Sequence, residues 1–125
     1  MNAEKLNQLS RIVIGKAFVV SNTLGAGFLE KIYENALAFE LREADLGVKQ
    51  QHDIAVYYRD NIVGAYSADL LIEDALLVEL KAVTALDAIH QAQCMNYLKA
   101  TRLSLCLLIN FGHPRVEIKR VANGI

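Results

Sequence analysis

The sequence predicts a mixed α/β fold, one sheet flanked by helices in the order α-α-β-β-β-α-β-β. Three observations predict it. Apolar residues between Glu4 and Leu46 recur at three-and-four spacing, the period of a helix face. From Val48 to Val83 the pattern turns to strand-like runs separated by tight polar turns. Farther on, Leu103 to Phe111 is an almost unbroken apolar run, as expected of a central strand covered on both faces.

Along the chain, Leu6, Leu9, Ile12, Val13, Ala17 and Val20 form the stripe of a first helix from about Glu4 to Leu24, which Gly25-Ala26-Gly27 breaks. A second helix is expected from Phe28 to Leu46, with Ile32, Leu37 and Leu41 inward and Gly47 as a left-handed stop. Strands follow from Val48 to Tyr58, Ile62 to Ile72 and Leu76 to Val83, joined by turns at Asp60-Asn61 and Glu73-Asp74 into an antiparallel meander. A third helix runs from its N-cap Asp87 to Ala100, with Ile89, Ala92, Met95 and Leu98 as the inward candidates. After Leu103 to Phe111 and the Gly112-His113-Pro114 break, Val116 to Val121 alternates apolar with charged residues, the pattern of a half-exposed edge strand.

At 125 residues and 54% hydrophobic content, the chain has the size and apolar mass of one domain over residues 1–125, with no need of disulfide or metal staples. No repeat, low-complexity tract or linker divides it, and its only proline is Pro114. The N-terminus MNAEKLNQLSR lacks the basic-then-apolar layout of a secretory signal, which leads to the expectation of a cytoplasmic protein. The apolar stretch from Ile12 to Phe28 is interrupted by Lys16, Ser21, Asn22 and Thr23 and does not suit a membrane span. Cys94 and Cys106 lack the paired short spacing of a zinc site and read as reduced core thiols. A net charge of −1 gives no sign of a protein that coats nucleic acid, although Arg115, Lys119 and Arg120 offer a local basic strip.

The third strand carries the unusual feature. Glu79 and Lys81 stand in the apolar run from Ala75 to Val83, where unpaired charges are costly. Period-two geometry sends both to one face of the sheet. If the turn at Glu73-Asp74 closes the hairpin in register, Asp69 lies opposite Glu79 or one residue off, with Cβ atoms within roughly 5 Å. Two converging carboxylates repel unless a cation intervenes, and hard oxygen ligands suit Mg²⁺ better than zinc. The metal would lower the pKa of a bound water, and Lys81 would orient it and stabilise developing negative charge. These parts fit phosphodiester hydrolysis. The competing reading is a cross-strand salt bridge between Lys81 and one of the acids on a solvated face.

Outside the meander, Glu30 reads on its own as a first-turn acid favoured by the helix dipole, and Tyr33 as a core aromatic with its hydroxyl at the rim. Gln93 and Tyr97, one helical turn apart, read as a polar stripe that His90 extends.

Together, Gly27-x-x-Glu30-x-x-Tyr33, Asp69, Glu79-x-Lys81 and Gln93-x-x-x-Tyr97 resemble the GxxExxY family of small bacterial proteins, assigned to the PD-(D/E)XK nuclease superfamily. The resemblance covers nearly the whole chain and implies a restriction-endonuclease-like core of helix, three-stranded meander, helix and strand. It implies Mg²⁺ or Mn²⁺ held by Asp69, Glu79 and the carbonyl of Leu80, with Glu30 contributing directly or through water. Lys81 would then serve the nucleophilic water as a catalytic group with Asp69 and Glu79. Gln93 and Tyr97 match the Gln-x-x-x-Tyr signature of the branch resembling the nuclease domains of recombination helicase-nucleases. They are expected to position the phosphate backbone or brace the strand, with Tyr33 a further nucleic-acid contact; His90 has no secure counterpart in the motif.

The implied activity is metal-dependent cleavage of nucleic acid, DNA before RNA. The alternative is a non-catalytic nucleic-acid-binding or protein-docking module on the same scaffold, favoured by the small size, the near-neutral charge and the lack of a separate DNA-reading element. A homodimer through the first helix or the last strand, or a larger protein partner, fits either.

Overall fold

Helix, strand and turn signals resolve into eight elements in the computed structural model, which describes residues 1–124. They are α1 (Ala3–Leu24), α2 (Glu30–Glu43), β1 (Val48–Tyr58), β2 (Asn61–Ile72), β3 (Leu76–Lys81), α3 (Ala88–Thr101), β4 (Leu105–Asn110) and β5 (Glu117–Ala122). The sheet runs β1-β2-β3-β4-β5, antiparallel except for the parallel β3–β4 pair that α3 connects. This is the mixed α/β architecture and element order that the sequence predicts.

Helix starts follow local capping chemistry. Asn2 accepts the Lys5 N–H through its side chain. Asp87 accepts the N–H groups of Ile89 and His90 while His90 Nδ1 accepts the Asp87 N–H, a reciprocal capping box. Two apolar layers close the sheet. Leu70, Ile72, Leu76, Val78 and Leu80 face α1 and α2, whereas Leu71, Leu77, Cys106 and Leu108 face Cys94, Tyr97 and Leu98 of α3. β4 is buried along its whole length, and both cysteines are free and buried.

Several expectations are corrected. The second helix stops at Glu43, and Asp45, at φ 62°, takes the left-handed position expected of Gly47. Gly47 N–H instead donates to Glu73 Oε2 at 2.8 Å, and an added Cβ, 2.9 Å from that oxygen, would oblige the exposed Glu73 side chain to adjust. Ile12 and Ile32 lie outward because smaller or better-aligned neighbours, Val13 and Tyr33, fill the stripe. α3 is rotated from the expected face: Ile89 is 71% exposed and Ala92 also faces out, while Cys94 and Tyr97 turn inward with Leu98. The tertiary packing of Tyr97 against Tyr66, with ring centroids 4.9 Å apart, outweighs the aliphatic count. Among the described residues, no helix is long and apolar enough to cross a membrane.

One irregularity bears on function. On β2, Ala68 faces α3 yet Leu70 faces α1 and α2; on β1, Ile54 and Val48 divide in the same way. Strict alternation would put Ala68 and Leu70 on one face. Both strands therefore exchange faces around the Gln51 and Asp69 positions, which lie opposite each other between the pairs Gln50–Leu70 and His52–Ala68.

Candidate active site

Backbone pairing between β2 and β3 covers only Leu70–Val78, Leu71–Leu77 and Ile72–Leu76. The next residues in register are Asp69 and Glu79, directly opposite each other, and here side chains replace the ladder. Glu79 Oε1 accepts the Asp69 N–H at 2.9 Å, and Asp69 Oδ2 accepts the Leu80 N–H at 2.7 Å. Each carboxylate thus satisfies a backbone donor that the parting strands leave without a carbonyl. A strand residue directs its C=O toward the same neighbour as its N–H, so the Leu80 carbonyl also faces this gap.

Lys81 follows on the Glu79 side of β3 and is half-exposed. The ion pairs among the described residues are Lys31–Glu34, Lys49–Asp74, His90–Asp87 and His113–Glu117, and none involves Lys81. The cross-strand salt bridge weighed as the competing reading is therefore not formed. Just beyond Lys81 the chain is pinned by Asn110, which is fully buried. Its side chain accepts the N–H groups of Val83 and Gly112 and donates to the Val83 carbonyl and to Glu117 Oε1. Gly112 approaches so closely that a Cβ would lie 2.1 Å from the Val83 oxygen.

Burial chiefly, and then the negative charge of Asp69, push the Glu79 pKa up to about 8. Asp69 is raised by burial as well, with the Leu80 N–H and the Gln51 amide pulling the other way. Glu30 is raised by burial against the attraction of Lys81. Tyr97 is held up by burial and by the fields of Glu79 and Asp69. The cluster carries more negative charge than its surroundings favour, and two carboxylates beside a backbone carbonyl are a donor set that fits a hard divalent cation.

The remaining expected residues fall into distinct places. Glu30 opens α2 within electrostatic range of Lys81, Asp69 and His90, but it does not converge with Asp69 and Glu79: no group of three His, Cys, Asp or Glu side chains gathers to hold a metal among the described residues. As the side chains stand, Glu30 meets the pair through its electrostatic field. Tyr33 is corrected outright as a nucleic-acid contact. It is fully buried, stacked on Phe111 at 4.6 Å, its hydroxyl accepting the Phe28 N–H and donating to the Gly25 carbonyl. Tyr97, 4% exposed, packs under the sheet, while Gln93 is half-buried at the rim of a concavity shared with Tyr66, His90 and Asn96. The basic strip fails as a site component: Lys119 and Arg120 lie on β5 at the outer edge of the sheet, and Arg120 reaches Asn7 of α1.

A family model for the PD-(D/E)XK nuclease superfamily matches residues 7–121. The chain belongs to the PD-(D/E)XK nuclease superfamily. Among solved structures, SSO0001 is similar at a TM-score of 0.58 and 16% identity, over 76% of this chain and 50% of that one, so this chain spans half the length of that relative. An alkaline exonuclease (LHK-Exo) from Laribacter hongkongensis matches at a TM-score of 0.43 and 12% identity, over 91% of this chain and 82% of that one. No curated protein matches the sequence.

Within this PD-(D/E)XK chain, three residues at the site escape sequence reasoning. Asn110 left a signal, being the polar residue in the otherwise apolar β4. Glu34, one helical turn after Glu30, is an acid on the buried side of α2 and was legible in principle from the helix period. Gln51 left none, because its role depends on a left-handed backbone at φ 53° that no glutamine announces.

Proposed function

We propose that this protein is a divalent-metal-dependent nuclease of the GxxExxY branch that hydrolyses phosphodiester bonds of nucleic acid, DNA foremost. The observation that carries the proposal is the meeting of Asp69 and Glu79 where the β2–β3 ladder opens, with Lys81 beside them outside any ion pair. Asp69, Glu79 and the Leu80 carbonyl would hold the cation. When bound, Mg²⁺ or Mn²⁺ supplies a Lewis acid that acidifies water and offsets phosphate charge. Lys81 orients the attacking water and sets positive charge beside the phosphate oxygens as their negative charge grows. Glu30 acts at longer range, through water. Tyr97 braces the carboxylate-bearing strands from below, and Gln93 offers its carboxamide to the substrate backbone.

A path for the substrate would run along α3 beside Gln93, past concavities that Asp69, Glu79 and Lys81 do not themselves line. The concavity holding His90 and Gln93, about 410 Å³, meets at Tyr66 and Asn96 a second one of about 630 Å³ that contains Tyr57, Lys99 and Arg102. Tyrosine faces and the two cations, which outnumber the one carboxylate of Asp60, suit a nucleic-acid strand.

The test is calorimetric titration of Mn²⁺ into wild type and Asp69→Ala, followed by incubation of both, and of Lys81→Ala, with single- and double-stranded DNA and with RNA. The expected result is metal binding lost in Asp69→Ala and metal-dependent cutting lost in both variants. If wild type binds no metal even with nucleic acid present, a non-catalytic docking module becomes the better reading. A homodimer through α1, whose Phe18 and Val19 face outward, belongs to the same proposal. Sedimentation equilibrium showing a monomer at all concentrations would remove it.

A further inference from the structure

Gln51 lies in a strand yet has the backbone conformation that L side chains avoid, with φ at 53°. Such strain persists where surrounding bonds over-determine it. Here they do. Gln51 Nε2 donates to Glu34 Oε1 at 2.7 Å and to Asp69 Oδ1 at 3.2 Å, and Gln51 Oε1 accepts from Ser67 Oγ at 3.0 Å. Glu34 is 3% exposed, and its other oxygen takes Lys31 Nζ at 2.9 Å and Gln50 Nε2 at 2.7 Å. Asp69 Oδ2 is already committed to the Leu80 N–H, so Gln51 acts on the oxygen that remains.

We propose that Gln51 is a positioning residue: its neutral amide bridges buried Glu34 of α2 to Asp69 and fixes the orientation in which Asp69 presents its carboxylate to a cation. This rests on the cation reading of the site given above. An amide suits the place because both its hydrogens donate, joining two carboxylates without adding charge. A glutamate there would set three carboxylates together, and a lysine would compete with the cation. The exchange of faces at Gln51 and Asp69 gives the bridge its reach, since it brings the two positions to the hinge between the helix layers.

Gln51→Gly is the informative variant, because glycine accepts the left-handed backbone without strain and removes the bridge together with the hydrogen bond from Ser67. Mn²⁺ affinity measured by calorimetry is expected to weaken about tenfold, the usual effect of losing a partner of a metal ligand. The thermal midpoint in chelator should stay close to that of wild type. In the nitrogen-15 spectrum of wild type, Mg²⁺ should move the Gln51 side-chain amide resonance and leave that of exposed Gln91 in place. Wild-type affinity in Gln51→Gly, or a lowered midpoint with affinity intact, overturns the proposal while leaving the cation site standing. If wild type binds no Mn²⁺ and Mg²⁺ moves neither resonance, the cation reading fails and this proposal fails with it.

Discussion

Glu79 is 4% exposed and faces a second carboxylate, and the two together lift its pKa to about 8. The same side chain ionises near 4.5 when unperturbed, so between there and about 8 unfolding releases a proton and stability falls as the pH rises. At roughly 1.4 kcal/mol per unit, the full penalty above that window is on the order of 5 kcal/mol. Glu79→Gln keeps an oxygen to accept the Asp69 N–H and sheds the charge. It should match wild type near pH 4.5 and exceed it by a few kcal/mol at pH 9, read from urea denaturation in chelator; equal stabilities at both pH values would mean that the charge is not confined. Tyr33 makes the opposite case, a motif residue spent inside the fold. Tyr33→Phe leaves the Phe28 N–H and the Gly25 carbonyl without their partner and should cost about 1–3 kcal/mol. Mn²⁺ affinity should not change, and a calorimetric shift would place the tyrosine nearer the site than its stacking on Phe111 allows.

At the scale of elements, the site depends on β3 leaving β2 on one side while remaining locked to β4 on the other. Phe111 N–H donates to the Lys81 carbonyl at 2.8 Å, and Asn110 holds Val83 at both its N–H and its carbonyl. Gly112→Ala forces a methyl against the Val83 backbone and should destabilise the fold by about 1–3 kcal/mol as the end of β3 shifts. Cleavage should fall further than stability, because Lys81 rides on the displaced segment; the pairing of denaturation midpoints with cleavage rates separates the two. The start of α3 was legible because a capping box is local chemistry, Asp87 with its own next residues. Its inward face was not, because Ile89 and Ala92 suit a core as well as Cys94 does, and only the position of the β1–β2 hairpin selects between them.

For the molecule as a whole, the proposed nuclease function with a net charge of −1 would leave nucleic-acid binding to a few local cations. Lys99 and Arg102 in the groove, with Lys81 at the site, make a salt dependence of log K on log salt with a slope of about −2 to −3 the expected result for duplex DNA. Filter binding or fluorescence anisotropy across a salt series measures it. A slope steeper than about −6 would point to a further basic surface, Arg115, Lys119 and Arg120 among the candidates.

Periodicity, turn residues and composition determined the order of helices and strands and the antiparallel meander by themselves, because each signal is short in range and carried by its own segment. The turn at Glu73-Asp74 narrowed Asp69 to a place opposite Glu79 or one residue off, since a tight hairpin leaves little freedom of register, and the observed ladder fixes it opposite. Tertiary structure alone decided what those carboxylates are bonded to. The ladder opens at Leu70–Val78, Gln51 adopts a left-handed backbone, and Glu34 comes within reach of Asp69 through it. Each of these depends on residues far apart in the chain meeting at one hinge of the sheet, where strict alternation, the rule that made the strands legible, no longer holds.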